Sequence, residues 1–152
     1  MPTHNKIVVA SNMLLESEHH FAVATRDIDY VASILLSGAV IGIVGPLLNE
    51  QGGRTMHQLL AKISDVVAEP EDDHAHEGMF RAVYNALKHA GNDRYKWKPS
   101  DDLEIHTDLR TEAAYMLDAA VEDFQKIKIA PNIRAALSEE FVAFLTAYEG
   151  YA

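Results

Sequence analysis

The sequence predicts an all-α protein, an up-down bundle of about five to six helices. Apolar residues recur at helical spacing through most of the 152-residue chain, and Gly or Pro falls between these periodic stretches. No stretch alternates between apolar and polar residues for long enough to predict a sheet. Hydrophobic residues make up 48% of the chain and charged residues 24%, as in a folded domain. We therefore expect residues 1–152 to form a single helical domain, with residues 1–9 loosely ordered.

The first two predicted helices cover residues 10–25 and about 28–49. Ser11 and Asp27 are their candidate N-caps, and Gly52 and Gly53 end the second helix. Residues 30–48 carry no charge, and a helix of this length is close to the thickness of a bilayer core. Internal Ser and Gly residues and acidic flanks instead favour a helix buried among its neighbours in a protein that does not enter the membrane.

The third and fourth predicted helices cover about residues 54–68 and 77–91. The third has one apolar stripe, formed by Met56, Leu59, Leu60, Ile63, Val66 and Val67. The acidic segment 69–77 follows as a loop, and Gly91 is the expected C-terminal residue of the fourth helix. The fourth helix has an apolar face with Phe80, Val83, Tyr84 and Leu87, and a polar face with Arg81, Asn85, Lys88 and Asn92.

The last part of the chain predicts two more helices after an irregular segment. Residues 92–106 alternate aromatic and basic side chains around Trp97, which is consistent with a short extended piece or a hairpin, and Pro99 begins a turn. A fifth helix, capped by Thr107 or Asp108, runs to about residue 127. A sixth begins at Pro131.

Composition excludes several classes of function. The chain has no cysteine, so disulfides, iron–sulfur clusters, cysteine nucleophiles and Cys-based zinc sites are excluded. Its formal net charge is −10, which opposes binding to phosphate backbones and makes nucleic acid an unexpected partner. The N-terminus lacks the pattern of a secretory signal, so we expect a cytoplasmic protein. No motif for a cofactor is present, and none is expected.

The segment 80–93, FRAVYNALKHAGND, carries a resemblance to known proteins. It resembles a group of small bacterial all-helical proteins that share an Asn-x-x-Lys-His-Ala phrase followed closely by Asp. These proteins are similar in layout to the HEPN superfamily of helical bundles. The resemblance covers about residues 11–127, and it implies a HEPN-like bundle that forms a homodimer.

The resemblance also implies candidate site residues. Many HEPN proteins are ribonucleases, in which an Arg, a polar residue and a His act together. Asn85 and His89 match the polar residue and the histidine. The position of the arginine is occupied by Tyr84, so a cation would have to come from Arg81 or Lys88. His would supply the acid or base and a cation would stabilise the phosphate during cleavage. A ligand site would then contain Arg81, Asn85, Lys88, His89 and Asn92.

Three hypotheses follow. The first is a non-catalytic HEPN-like bundle that acts through protein association, most simply as a homodimer. The second is a metal-independent ribonuclease, or a nucleotide-binding or RNA-binding domain of a toxin–antitoxin or defence type. The third is a metal-binding bundle that uses His74 and His76, since imidazole and carboxylate are the ligands left to a cysteine-free chain. The net charge and Tyr84 favour the first hypothesis.

Overall fold

A computed structural model describes residues 1–68, 76–93 and 95–151. The described residues form an all-α structure, which confirms the predicted fold class. The helices are α1 (Lys6–Ala22), α2 (Asp27–Glu50), α3 (Met56–Val67), α4 (Ala82–Lys88), α5 (Leu109–Lys126), α6 (Pro131–Arg134) and α7 (Glu139–Ala147), with 3₁₀ helices at Glu77–Arg81 and Pro99–Asp101.

The core lies where α2 packs against α1 and α5. Its largest completely buried side chains include Leu14 of α1, Ile34 of α2 and Phe124 of α5. Phe141 of α7 also belongs to this core, and its ring meets that of Phe124 edge to face at 4.9 Å. Burial of these side chains is the main stabilising contribution to the bundle, at roughly 2–3 kcal/mol for each large residue.

Helix α2 has the length and apolar character of a membrane-spanning segment, but half of it is buried inside the fold. An apolar stretch of 18 residues within α2 has a mean hydropathy of 2.2, and 50% of this stretch is buried. Ile41 and Val44 lie in the core, at 3% and 0% exposure. The prediction of a helix packed among its neighbours is consistent with this burial, and the cytoplasmic location stays a prediction.

A buried cluster of hydroxyl groups joins α1 to α2. The Ser17 Oγ donates to the Ser33 carbonyl oxygen at 2.9 Å, and it lies 2.6 Å from the Ser37 Oγ. All three serines are completely buried. Small side chains let the two helices approach closely, and their hydroxyls satisfy each other inside the contact.

Several predicted helix ends differ from the structure. Helix α1 begins at Lys6 rather than residue 10, because the Asn5 side chain caps it by accepting from the Ile7 backbone N–H at 2.8 Å. Ser11 is therefore a buried residue inside α1, and its Oγ donates to the Val8 carbonyl oxygen. The predicted final helix is two helices, and Ser138 caps the second of them.

The predicted fourth helix, 77–91, is wrong as one continuous α-helix. Residues 77–81 form a 3₁₀ helix, and regular α-helix begins only at Ala82. The helix ends at Lys88, and Gly91 takes the left-handed conformation with φ +86°. A Cβ at Gly91 would lie 3.1 Å from the Trp97 carbonyl oxygen, so this close approach also requires glycine.

Candidate functional site

A cleft of about 640 Å³ lies between α4 and the chain that follows it. We call it the α4 cleft. Its lining includes His76, Met79, Val83, Asn85, His89, Asn92, Tyr95, Trp97, Asp102, Glu104, Ile105 and His106. The structure thus brings together three of the predicted ligand residues, Asn85, His89 and Asn92, with the aromatic pair of the next segment.

The wall of the α4 cleft is held in place by a short hairpin turn. Asn92 and Trp97 exchange two backbone hydrogen bonds, of 3.1 and 2.9 Å. The Tyr95 backbone N–H donates to the Asn92 Oδ1 at 3.2 Å, and the Gly91 N–H donates to the Asp102 Oδ2 at 2.8 Å. The aromatic rings of Tyr95 and Trp97 are therefore positioned by the backbone that carries them.

Arg81 and Lys88 lie away from this cleft. Both cations sit over the ring of Tyr84, the Arg81 Cζ at 5.1 Å and the Lys88 Nζ at 4.4 Å from its centroid. The Arg81 Nη2 also donates to the Gly38 carbonyl oxygen of α2 at 3.3 Å. Arg81 and Lys88 thus stabilise the buried Tyr84 against α2, and neither lines the cleft that contains His89.

Helix geometry explains why the predicted polar face divides. Arg81 lies at the end of the 3₁₀ helix, where each residue turns by about 120° instead of the 100° of an α-helix. Arg81 also has φ −115° and ψ 12°, outside the α-helical region, so the regular spacing of α4 does not extend from Asn85 back to Arg81. Lys88 follows Tyr84 by four residues and lies on the Tyr84 side of α4. The combination of histidine and cation implied by the resemblance is not assembled in the α4 cleft.

A second polar group, which the sequence analysis missed, is buried beneath α3. His57 is 4% exposed and Asp123 is 1% exposed. The Asp123 Oδ1 accepts from the Met56 backbone N–H at 2.6 Å, so it fixes the first turn of α3 against α5. Three polar atoms are buried without a hydrogen-bond partner among the described residues, namely the His57 Nδ1, the Arg81 Nε and the Asp123 Oδ2. The sequence did contain a signal that Asp123 is buried. It follows Ala120 by three residues and Met116 by seven, which places it on the same buried face of α5.

The environment of these two groups shifts both pKa values. Burial, with a smaller effect of the charge of Arg81, lowers the pKa of His57 to about 4. Burial raises the pKa of Asp123 to about 6, against the opposing effect of the hydrogen bond from Met56. Each shift favours the neutral form of its side chain, as expected for ionisable groups taken out of water.

These shifts predict two opposing contributions to stability between pH 4 and 6.5. The folded protein holds the Asp123 proton more tightly than the unfolded chain does. The stabilisation of the folded protein by this proton is complete below about pH 4 and is lost as the pH rises through 6. The contribution of His57 is present above pH 6.5 and is lost as the pH falls through about 4. In the intact protein the two largely cancel.

Single substitutions should reveal each contribution. In Asp123→Asn the free energy of unfolding should rise more steeply with pH over this range than in the wild type. In His57→Leu it should fall with pH relative to the wild type. Urea unfolding at a series of pH values measures both slopes, and three parallel profiles would contradict the prediction.

Four of the six residues in the apolar stripe of α3 face outward, whereas a stripe of this kind usually packs against the core of its own chain. Helix α3 turns His57 and Ala61 toward the core, whereas Leu60, Ile63, Val66 and Val67 are 37%, 61%, 78% and 74% exposed. At 100° per residue the centre of the stripe lies about a third of a turn from the buried face. We call these four residues the α3 surface.

A groove of about 520 Å³ borders the α3 surface. Leu60 lines it from α3, Met79 and Phe80 from the 3₁₀ helix, and Tyr115 from α5. The Phe80 ring stacks on the buried His57 at 6.0 Å. Met79 and Tyr115 are half exposed, so the apolar area extends beyond α3.

The candidate metal ligands are placed only in part. His76 lines the α4 cleft, whereas His74 lies outside the described residues. Among residues 1–68, 76–93 and 95–151, no three His, Asp or Glu side chains are arranged to hold a metal ion.

No protein-family model matches the chain, and comparisons with curated proteins and with solved structures also find no match. The resemblance to HEPN proteins therefore stays a prediction that depends on the residues themselves.

Proposed function

We propose that this protein is a non-catalytic helical bundle that acts through association and forms a homodimer. The observation that carries this proposal is the α3 surface, a contiguous row of exposed Ile, Leu and Val side chains over two turns of helix. Exposed apolar areas of this kind are typical of interaction sites. The resemblance to HEPN-like bundles, which implies a homodimer, supports the same proposal.

A second copy of the chain is the partner that best fits the α3 surface. Each chain carries a net charge of −10, so two copies repel and only apolar area can drive their association. Two α3 helices related by a two-fold axis would bury the same stripe against itself, which is the contact that a symmetric dimer requires.

The area of the α3 surface indicates how much more of the protein surface a dimer interface must include. A stable dimer buries about 800 Å² on each partner, which is more than four side chains provide. The groove and its rim, Met79 and Tyr115, extend the apolar area in continuity with α3. We therefore place the centre of the interface on Ile63 and its edge on the groove.

The oligomeric state of two matched variants tests this proposal. Ile63→Asp places a charge in the α3 surface and should convert a dimer to a monomer in light-scattering measurements, since it buries an unpaired charge at the interface. Val23→Asp alters a residue of similar exposure, 55% against 61%, far from α3 along the chain, and should leave the dimer intact. A wild-type monomer, or a dimer in both variants, would contradict the proposal.

The alternative of a metal-independent ribonuclease gains no support from the geometry. The cations Arg81 and Lys88 are directed to Tyr84, and no Lys or Arg among the described residues lines the cleft with His89. We expect no cleavage of single-stranded RNA above background. Cleavage that is lost in a folded His89→Ala variant would contradict this expectation.

A further inference from the structure

We propose that the α4 cleft binds an organic ammonium cation that carries a small apolar group. This inference does not require the proposed dimer. It depends on the aromatic, apolar and acidic lining of the α4 cleft, which shares Met79 and Val83 with the groove beside α3. Three features of the lining support it, namely a pair of aromatic rings, two carboxylates and a set of apolar side chains.

The aromatic wall comes from the hairpin turn. The rings of Tyr95 and Trp97 lie 5.4 Å apart with a tilt of 34°, and they are 58% and 53% exposed. The face of an aromatic ring is electronegative and attracts cations, and the face of Trp does so most strongly. A ligand in the cleft therefore meets an extended aromatic surface that favours positive charge.

The charged lining has the complementary sign. Asp102 and Glu104 both line the cleft, and no Lys or Arg among the described residues does so. Asp102 is held in place by the Gly91 N–H, and the Glu104 Oε2 lies 3.5 Å from the His106 Nε2. Two carboxylates, with no Lys or Arg beside them in the described part of the chain, oppose a phosphate and favour an ammonium group.

The rest of the lining does not match the needs of a metal ion. Met79, Val83 and Ile105 make part of the cleft apolar, whereas a metal would need three or more arranged ligands, which the described residues do not provide. The amide groups of Asn85 and Asn92 add hydrogen-bonding capacity at the same cavity. Methylated or alkylated ammonium compounds combine the charge and the apolar surface that this lining matches.

Trp97 is the single tryptophan of the chain, so its fluorescence reports directly on the cleft. We would titrate the wild-type protein with choline, and with 3,3-dimethyl-1-butanol, which has the same shape without the charge. Choline should bind at least about twofold more tightly, since cation–π attraction at exposed rings contributes about 0.5–1 kcal/mol, a factor of about 2–5. Equal binding of the two compounds, or no saturable change at millimolar choline, would overturn the proposal.

Titrations with two further compounds would narrow the class of ligand. N-acetyl-trimethyllysine amide presents the same ammonium group on a peptide side chain. Tighter binding of this compound than of choline would assign the group to a protein ligand, and the reverse would assign it to a free small molecule. AMP tests the opposite charge, and displacement of choline by AMP would overturn the proposal.

A matched pair of variants locates the binding. Glu104→Gln removes a carboxylate of the cleft and should weaken choline binding severalfold. Asp101→Asn removes an exposed carboxylate that does not line the cleft, and it should leave the binding unchanged. Equal effects of the two substitutions, in variants with wild-type circular dichroism, would show that choline responds only to the overall charge.

Discussion

Ile41→Asp should lower the free energy of unfolding by about 4 kcal/mol or more. Ile41 is 3% exposed at the centre of α2, where that helix packs between α1 and α5. The substitution removes a large apolar side chain from the core and leaves a carboxylate without a partner. Since domains of this size have a total stability of about 5–15 kcal/mol, the variant should unfold at low urea concentration.

Ile28→Asp is the control on the same helix. Ile28 is 56% exposed and lies in the first turn of α2, where a negative charge interacts favourably with the helix dipole. This variant should be about as stable as the wild type. If Ile41→Asp were equally stable, and if the purified protein required detergent micelles to stay dispersed, α2 would be a membrane segment and not the centre of a bundle.

Gly38→Ala should lower the free energy of unfolding by about 1–3 kcal/mol, although alanine is the better helix former. The Tyr84 ring packs directly on the backbone of Gly38, and a Cβ there would lie 2.2 Å from the Tyr84 Cδ2. The ring has little freedom to move, because it is 7% exposed and because Arg81 and Lys88 lie over it. Urea unfolding measures this cost.

Gly42→Ala provides the matched control one helical turn further on. Among the described residues, a Cβ at Gly42 would meet only the Arg81 Nη2, at 3.9 Å. This variant should equal the wild type or gain up to about 1 kcal/mol from helix propensity. Removing the Tyr84 ring should also remove most of the cost of Gly38→Ala, and independent effects of the two changes would contradict the contact.

The sequence predicted the parts of the fold that depend on local pattern. The apolar centre of α2, the cap at Asp108 and the left-handed Gly52 after α2 follow from spacing, side-chain capping and backbone freedom, and the structure confirms them. Gly91 is not the residue that directly follows the cap of α4, because that helix ends at Lys88 with His89 as its C-cap. The 3₁₀ helix before Ala82 was missed, because four residues of helical spacing do not reveal which hydrogen-bond pattern they adopt.

The candidate site was predictable only in part. Asn85 and His89 share the α4 cleft, but the opposite walls come from Trp97 and Glu104, which no periodicity connects to α4. The sequence also could not show whether the apolar stripe of α3 faces the core or the solvent. A stripe of regular spacing identifies an apolar face, but it does not show whether that face packs in its own chain or against another.

Cross-linking can test whether the α3 surface joins two copies of the chain. The chain has no cysteine, so a single introduced cysteine reacts alone. Val66→Cys lies on the α3 surface, and Val23→Cys is its exposed control. A bismaleimide with a reach of about 10 Å matches the distance between two packed helices.

We expect covalent dimers from Val66→Cys at protein concentrations where Val23→Cys stays monomeric on a denaturing gel. Cross-linking at neither position, or equal cross-linking at both, would contradict it.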